Sequence, residues 1–492
     1  MAFNWRFWQR PPAPRRRIYA AAASNRLTAD WITSPLSAAD EVRGSLSKLR
    51  DRSRELERND EYFRRYLDLC VVNMTPLHYQ SAITQLATPK GGGRPVRTPD
   101  SQANDLIETA WEAWGRAATV VGDTWGEACK LAARTVARDG ELLVQLVRGE
   151  TAGNAAGFAL RLLEADYLDH TLCRQATATQ PQIVSGVEVD GFGRPLAYHL
   201  YQRHPGDYSG GAYTTARVRV PASEILHIFR RERPGQVRGV PWGHAAMLRL
   251  QLLKGYEEAE LVAARVAACK MVYYLTPDGQ FDSDAATRPK QDMEPGTSEI
   301  LPPGWDLKTN DPTHPTSQFE AFSKSLKRGI SAGLSVAYNT FASDLEGVNF
   351  SSIRAGVLEE RDEWRDRQRL LIEQFAIPVY AAWLEMALAT QFVPLPLAKF
   401  DKFNAPQFRG RSWPWVDPEK DMSAAEAAVR NGWASDSDVA ADQGRDLEDV
   451  YRQQRADAAL RETYGLPPRQ WAAVGSNPTP PPAPPPAKEP TP

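Results

Sequence analysis

YNTFASDLEGVNFSSIRAG, residues 338–356, is a polar stretch rich in Asn and Ser, set between two strongly helical segments. Connections inside compact domains usually run about 4–6 residues, and a longer one is either a plain solvated loop or a functional one. The flanks decide how it is read. Upstream, Phe319, Phe322, Leu326 and Ile330 recur at steps of three and four, which marks one stripe of a helix. Glu320, Lys324, Lys327, Arg328 and Ser331 fall on the opposite stripe, which is either a solvated face or one turned toward a polyanion. Downstream, EERDEWRDRQR (359–369) is almost wholly charged. Its pairs Glu363/Arg367, Asp362/Arg365 and Asp366/Arg369 suit a long exposed helix. The pattern turns apolar at Leu370, Leu371, Ile372 and Phe375, and Pro378 is expected to kink or stop the helix. From Val357 to Ile377 such a helix spans about 30 Å.

The whole chain sets bounds on this reading. Its 492 residues suffice for several cores. With 59 basic and 61 acidic residues the net charge is -2, so any nucleic-acid contact is local rather than a general coat. The hydrophobic content of 42% is ordinary, and no run of about 18 apolar residues predicts a membrane span. The basic start, MAFNWRFWQRPPAPRRR, lacks the apolar centre of a secretory signal. Cys70, Cys129, Cys173 and Cys269 form no CxxC pair, which predicts reduced, buried thiols and no zinc site. The fourteen tryptophans serve either core packing or subunit interfaces.

Along the chain, residues 1–40 read as an arm, whose five arginines before Ile18 either bind nucleic acid or form a solvated tail. Ser37 is a plausible N-cap for a helix reaching about Leu69. TPKGGGRPVRTPD (88–100) holds three glycines beside a lysine, but Arg94 and Pro95 follow where a phosphate loop needs Lys-Ser/Thr and a helix. Residues 101–138 read as helical, with Trp111, Trp114 and Trp125 in an Ala-rich background. Strands are expected at 142–148, 159–163, 183–189, 196–201, 218–220 and 225–229, with a hairpin turn at Asp190-Gly191. Pro241 is placed to open a helix that runs to about Lys270, with Leu248, Leu252, Tyr256, Ala259, Ala263 and Val266 on its packing stripe. Residues 271–318 are short, Pro/Gly-rich and acidic through Asp278, Asp282, Asp284, Asp292, Glu294 and Glu299. Residues 394–415 read as irregular, 418–465 as two short helices, and the tail from Ser476 as extended, with nine prolines in 17 residues. The fold class is therefore α+β and mainly helical.

Four stretches carry a family resemblance. They are RRIYAAAASNRLTADW (16–31), LRDRSRELERND (49–60), VPASEILHIFRRERPGQVRGVPW (220–242) and GLSVAYNTFASDLEGVNFSSIRAG (333–356). Together they resemble the lambda-type phage portal proteins, the family of head-tail connector rings, over roughly residues 15–400. One departure is VVNMTPLHYQ (71–80), where the family commonly has a glycine-bearing stretch. The resemblance implies a portal fold with an arm (1–40), a wing (41–241), stem helices (242–270 and 319–335) and a clip (271–318). A channel loop (336–356), a long helix returning to the wing (357–417), crown helices (418–475) and the Pro-rich tail (476–492) complete it.

It further implies a ring of about twelve copies at one vertex of the procapsid and later of the virion, assembled in the host cytoplasm. DNA would be packaged and ejected through it. The implied partners are the chain itself, double-stranded DNA without sequence specificity, the terminase large subunit, the head-tail adaptor and the major capsid protein. The clip carboxylates named above would meet the terminase and adaptor. No membrane and no cofactor enter.

Duplex DNA carries one charge per about 1.7 Å, so a conduit must touch it without gripping it. Lys324, Lys327 and Arg328 are expected to meet phosphates without reading bases. Asn339, Thr340, Asn349, Ser351 and Ser352 are expected to line the constriction. Arg354 either joins them or anchors the loop to its neighbour. Asp344 and Glu346 either centre the DNA by repulsion or pair with an adjacent subunit. No GxSxG, complete Walker motif or metal-ligand spacing occurs, so no catalytic residue is assigned. A metal-dependent nuclease using Asp344 and Glu346 is the alternative enzyme reading.

Overall fold

The computed structural model describes residues 26, 30, 32–87, 96–207, 216–268, 272–275, 306–309, 319–346, 350–414 and 417–467. Its helices begin where a side chain can accept a free backbone N–H: Ser37, Asp60, Asp100 and Thr124 each do so. Ser37 opens α1 (Ala38–Arg43), followed by α2 (Leu46–Asn59) and α3 (Glu61–Met74). Three helices thus stand where the sequence predicted one. Gly44 ends the first, and Asp60 both ends the second and caps the third. Strands β1 (His78–Ser81), β2 (Thr84–Ala87) and β3 (Val96–Pro99) come next, then α4 (Ser101–Gly115) and α5 (Trp125–Asp139).

The β-rich part forms two sheets. β4 (Glu141–Arg148) lies between β5 (Phe158–Leu163) and, from far along the chain, β10 (Ile225–Phe229). The second sheet is a meander of β6 (Gln182–Val184), β7 (Val187–Val189), β8 (Pro195–Tyr201) and β9 (Arg217–Pro221). The single strand expected at 183–189 is two strands, because Ser185 and Gly186 both take positive φ and reverse the chain. The Asp190-Gly191 hairpin forms as expected, with the Asp190 carboxylate accepting from the amides of Phe192 and Arg194.

Helix α6 (Met247–Ala268) starts six residues beyond Pro241, with turns between. β11 (Val272–Leu275) and β12 (Asp306–Thr309) pair antiparallel, and α7 (Phe319–Leu334) follows. After α8 (Tyr338–Ala342), α9 (Phe350–Leu371) runs through a π turn at Ile372–Ala376 into α10 (Ile377–Ala389). Pro378 does not stop this helix. The widened turn, closed by Ile377 N–H to the Ile372 carbonyl, leaves room for a residue without a donor. Short α11 (Phe400–Phe403) and β13 (Pro406–Arg409) occupy the segment expected to be irregular, and β13 pairs with β1. Three helices, not two, end the described chain: α12 (Pro418–Arg430), α13 (Asp436–Asp442) and α14 (Leu447–Thr463).

One large core joins α3, α4, α5, α9 and α10, and a smaller one lies under the meander. At the centre of the large core Trp111 meets Trp114, Trp125, Trp383 and Tyr380 at ring separations of 4.8–5.6 Å. Tryptophan thus serves chiefly as core, although Trp433 is 82% exposed. By length and composition the helix from Arg354 to Ala389 could cross a membrane, which the sequence did not lead us to expect. Its apolar end is core instead: Val379, Tyr380, Trp383, Leu384, Ala387 and Leu388 are fully buried. Cys70 and Cys129 are buried as expected, whereas Cys173 is exposed and Cys269 lies outside the described residues.

The GQVRGVPW turn locks the β-rich part to the helices. Arg238 is buried and grips the buried Glu141 carboxylate with Nε and Nη2, while Nη1 donates to the Ser185 carbonyl at 2.9 Å. Burial works against the charge on Glu141, but Arg238 and His227 override it and hold the carboxyl well below the usual range. Gly140 and Gly239 make this approach feasible. A Cβ on Gly239 would sit 2.1 Å from the Gly140 carbonyl oxygen, and Gly140 itself has φ +86°. Gly239→Ala is therefore expected to cost about 1–3 kcal/mol or more by overpacking. Gly44→Ala, with nothing near its Cβ, should be close to neutral. Urea unfolding midpoints of the two variants check this.

Candidate functional site

The stretch that opened the sequence reading is mostly helical. Tyr338–Ala342 forms α8 and Phe350 already begins α9, so only residues 343–349 separate the two helices. Phe341 explains why. Its ring is 1% exposed and packs against Tyr62 of α3 at 5.7 Å, which pins α8 to the body. Thr340 is turned inward as well: its hydroxyl donates to Glu360 at 2.7 Å, and Trp364 donates to the other oxygen of the same carboxylate. Thr340 is thus an anchor between α8 and α9. Asn339 is half-buried beside it.

The basic side of α7 is less open than its sequence suggests. Lys324 pairs with Asp344 at 3.1 Å. Lys327 pairs with Glu257 of α6 at 3.2 Å and lies over the Tyr62 ring at 4.9 Å. Both lysines are only about a quarter exposed or less. Ser331, placed on the wet stripe by periodicity, is buried and donates to the Arg328 carbonyl. Arg328 alone of the three cations is exposed, with its guanidinium 5.5 Å from the Tyr338 ring centre. The wet face of α7 narrows because α6 and α8 flank it, which periodicity within one helix cannot reveal.

Asp344 ends the described part of the connection as a latch. It accepts from the Tyr338 hydroxyl at 2.7 Å, from the Glu346 amide at 2.9 Å and from Lys324. These donors hold its carboxyl down to about 2, and partial burial with Asp344 pushes the Tyr338 hydroxyl up to about 12. Asp344 thus pairs within its own subunit. Arg354 likewise anchors rather than lines: its guanidinium reaches Asp421 at 3.0 Å and Asp417 at 3.7 Å, at the start of α12. Ser351 and Ser352 fall in the first turn of α9. Asn349 and the carboxylates Asp278, Asp282, Asp284, Asp292, Glu294 and Glu299 lie outside the described residues.

Sequence reasoning missed the residue that sets these helices in place. Arg367 is 3% exposed and sits 4.7, 5.3 and 5.8 Å from the ring centres of Trp364, Trp242 and Tyr66. Its Nη2 donates to the Leu334 carbonyl at the end of α7, and Nε donates to Glu363. Paired charges at one helical spacing had marked it as an exposed ion-pair residue. Only the aromatic partners, two of them from other segments, show that it is buried. The one acid–histidine cluster among the described residues, Glu164, Asp166 and His204, is occupied by arginines, since Arg54 meets Asp166 at 2.5 Å and Glu164 at 3.5 Å.

Along α6 the expected packing stripe holds only in part: Tyr256 packs on Phe319 and Phe322 of α7, but the stripe residues before it face outward. Met247, Leu250 and Leu253 are buried, while Leu248 and Leu252 are 72% and 61% exposed. Leu248, Leu252, Gly255, Ala259 and Val262 recur at alternating steps of four and three, and all are exposed. Among the described residues nothing covers this apolar and small-residue face.

Two outcomes are expected from this geometry. Arg367→Ala should cost about 3–5 kcal/mol, because it strips a buried cation from its partners. Arg367→Lys should not restore it, lacking the planar fork; chemical denaturation measures both. Tyr338→Phe with Lys324→Ala should speed amide exchange at 343–346 about tenfold at neutral pH while leaving the global melting temperature in place. The sign with pH follows from a carboxyl lowered from its usual 3.8 to about 2. The latch is fully present above 3.8 and is lost only as pH falls toward 2.

Comparison with known proteins gives a consistent answer. A family model for phage portal proteins of the lambda family matches residues 24–368. A probable portal protein of Halomonas phage phiHAP-1 is 31% identical over 479 residues, covering 94% of this chain and 90% of that protein. Portal protein B of Escherichia phage lambda is 22% identical over 326 residues, covering 59% of this chain and 61% of the relative. Among solved structures, a chain from the neck of the native gene transfer agent particle, in C12 symmetry, aligns at TM-score 0.39 and 13% identity. It covers 89% of this chain and 96% of that one.

Proposed function

Since the chain belongs to the lambda family of phage portal proteins, we propose that copies of it close into a ring whose passage carries duplex DNA into and out of the capsid. Its head-tail connector role and its place in the virion follow from that membership. So does its standing as a structural protein rather than an enzyme, which sets aside the nuclease reading of Asp344 and Glu346.

The observation that carries the ring is the open face of α6. A heptad-like stripe of Leu248, Leu252, Gly255, Ala259 and Val262 left in water is unfavourable for a lone chain. The small residues at its centre let another helix backbone come close. A neighbouring copy, turned by a ring's rotation, supplies that helix. Helices α12–α14 fit the same reading: no residue in them is buried, yet Met422, Tyr451 and Leu460 are large and apolar, as is the exposed Trp433 between α12 and α13. About twelve copies is the expected number.

In this ring α6 and α7 are the stem, residues 271–318 the clip, α12–α14 the crown, and residues 41–241 the wing. Residues 343–346 face the passage, and Arg328 and Asn339 stand at its edge. The latched Asp344 keeps a negative charge there, so DNA meets one open guanidinium per subunit beside fixed carboxylates. Such a wall lets phosphates slide, because the counterion release that gives tight binding needs many cations. Lys324 and Lys327 then act mainly to hold α7 in place. The clip would receive the terminase large subunit and later the head-tail adaptor, the major capsid protein would surround the wing, and assembly would occur in the host cytoplasm.

Negative-stain imaging with mass photometry tests the proposal. The purified chain is expected to give rings with a central hole. Leu252→Asp with Val262→Asp, both at exposed positions, is expected to give folded monomers. Rings that persist in the double variant would remove the α6 face from the interface, and a wild-type chain that stays monomeric at high concentration would sink the ring itself.

A further inference from the structure

A cleft of about 540 Å³ lies between β1, α4 and the start of α14, away from the proposed passage. Its lining brings six carboxylates against three guanidiniums. Asp105, Glu108 and Glu112 recur at steps of three and four, so one face of α4 is acidic. Asp449 approaches from α14. Arg452 is shared among Asp105, Glu448 and Asp449 at 3.1–3.6 Å. Glu108 and Glu112 make no ion pair among the described residues. The carboxyl of Glu108 is pushed up by partial burial and by Asp449 and Asp105, as expected where negative charge is under-compensated.

A second observation concerns the floor. Ser81 is 4% exposed and its Oγ has no hydrogen-bond partner. Beside it the Gln80 Oε1 is buried and also without a donor, although the same side chain donates through Nε2 to Asp446. Native proteins rarely leave buried polar atoms unmatched. Spare acceptors beneath uncompensated carboxylates match a guanidinium, which has five donors and no acceptor.

We propose that this cleft holds the arginine block of the chain's own N-terminal arm, Arg15–Arg17. The arm carries Arg6, Arg10, Arg15, Arg16 and Arg17 with no acid before Asp30 and no lysine. Guanidinium chemistry is therefore what it offers. From Arg17 to Ile32 an extended chain reaches about 50 Å. Pro11, Pro12 and Pro14 restrict the free arm and so lower the cost of ordering it. Docked there, the block neutralises the acidic face and straps α14 to α4. That joint otherwise rests on polar contacts such as Arg452 to Asp105 and Gln80 to Asp446.

Site-specific photocrosslinking in the full-length protein tests this, with benzoylphenylalanine in place of Ala13 and mass spectrometry to map the adducts. Adducts are expected within residues 101–116 or 444–455. Their yield should fall about fivefold in about 0.5 M salt, where exposed charges are screened, and equally in Glu108→Gln with Glu112→Gln. Arg15→Glu, Arg16→Glu and Arg17→Glu together leave the body untouched and should abolish the adducts, so the test stands even if the cleft variant folds poorly. Adducts confined to other surfaces, a yield indifferent to the arm's charge, or crosslinking to added DNA alone would overturn the proposal.

Discussion

A buried guanidinium needs partners on every side, and Arg367 finds them in four separate stretches of chain. Tyr66 comes from α3, Trp242 from the turn before α6, Leu334 from the end of α7, and Glu363 and Trp364 from its own helix. A charge taken out of water is tolerated only when this set is complete. The two helices that leave the body therefore have their bases fixed by one residue. The direction of α7 in turn decides where α8 and residues 343–346 arrive.

Around this point the molecule divides its labour by chemistry. The aromatic core of Trp111, Trp125, Tyr380 and Trp383 supplies burial and rigidity. The Arg238–Glu141 pair and the interlocked Gly140 and Gly239 join the β-rich part to the helices without slack. In contrast, α12–α14 touch the rest through polar contacts: Arg354 to Asp421, Arg452 to Asp105, and Arg409 to the Arg445 carbonyl. Exposed ion pairs contribute little and weaken with salt. The core and the Arg238–Glu141 junction are thus rigid, while α12–α14 are held by contacts that salt can loosen.

Local pattern revealed much of this. Alternating apolar runs located β4, β5, β8 and β10, the Asp190-Gly191 turn marked its hairpin, and Ser37 capped the helix it preceded. What stayed hidden depends on residues far apart in the chain. β1 pairs with β13 across more than 300 positions, and neither strand has enough length to show a period of its own. The expected stripe of α6 put Leu248 and Leu252 inside although both are exposed, because Met247, Leu250 and Leu253, which are buried, are apolar too. At the candidate site the partners of the side chains were not legible from local pattern. Thr340, Lys324 and Arg354 each turned out to be tied by partners 20, 20 and 67 positions away.

The π turn at Ile372–Ala376 gives the long helix a history as well as a shape. A single residue inserted into an α-helix turns everything beyond it by about 100°, and a π turn is how a helix absorbs such an insertion. On this side of it the helix shows Glu363, Arg367 and Gln368 to a polar junction; on the far side it shows Tyr380, Trp383 and Leu384 to the core. The reading frame of side chains along one rod is therefore offset at its middle. Lineages that lost that residue would regain ideal backbone bonding and lose the alignment of the two halves, so length at this point should be inherited more strictly than composition.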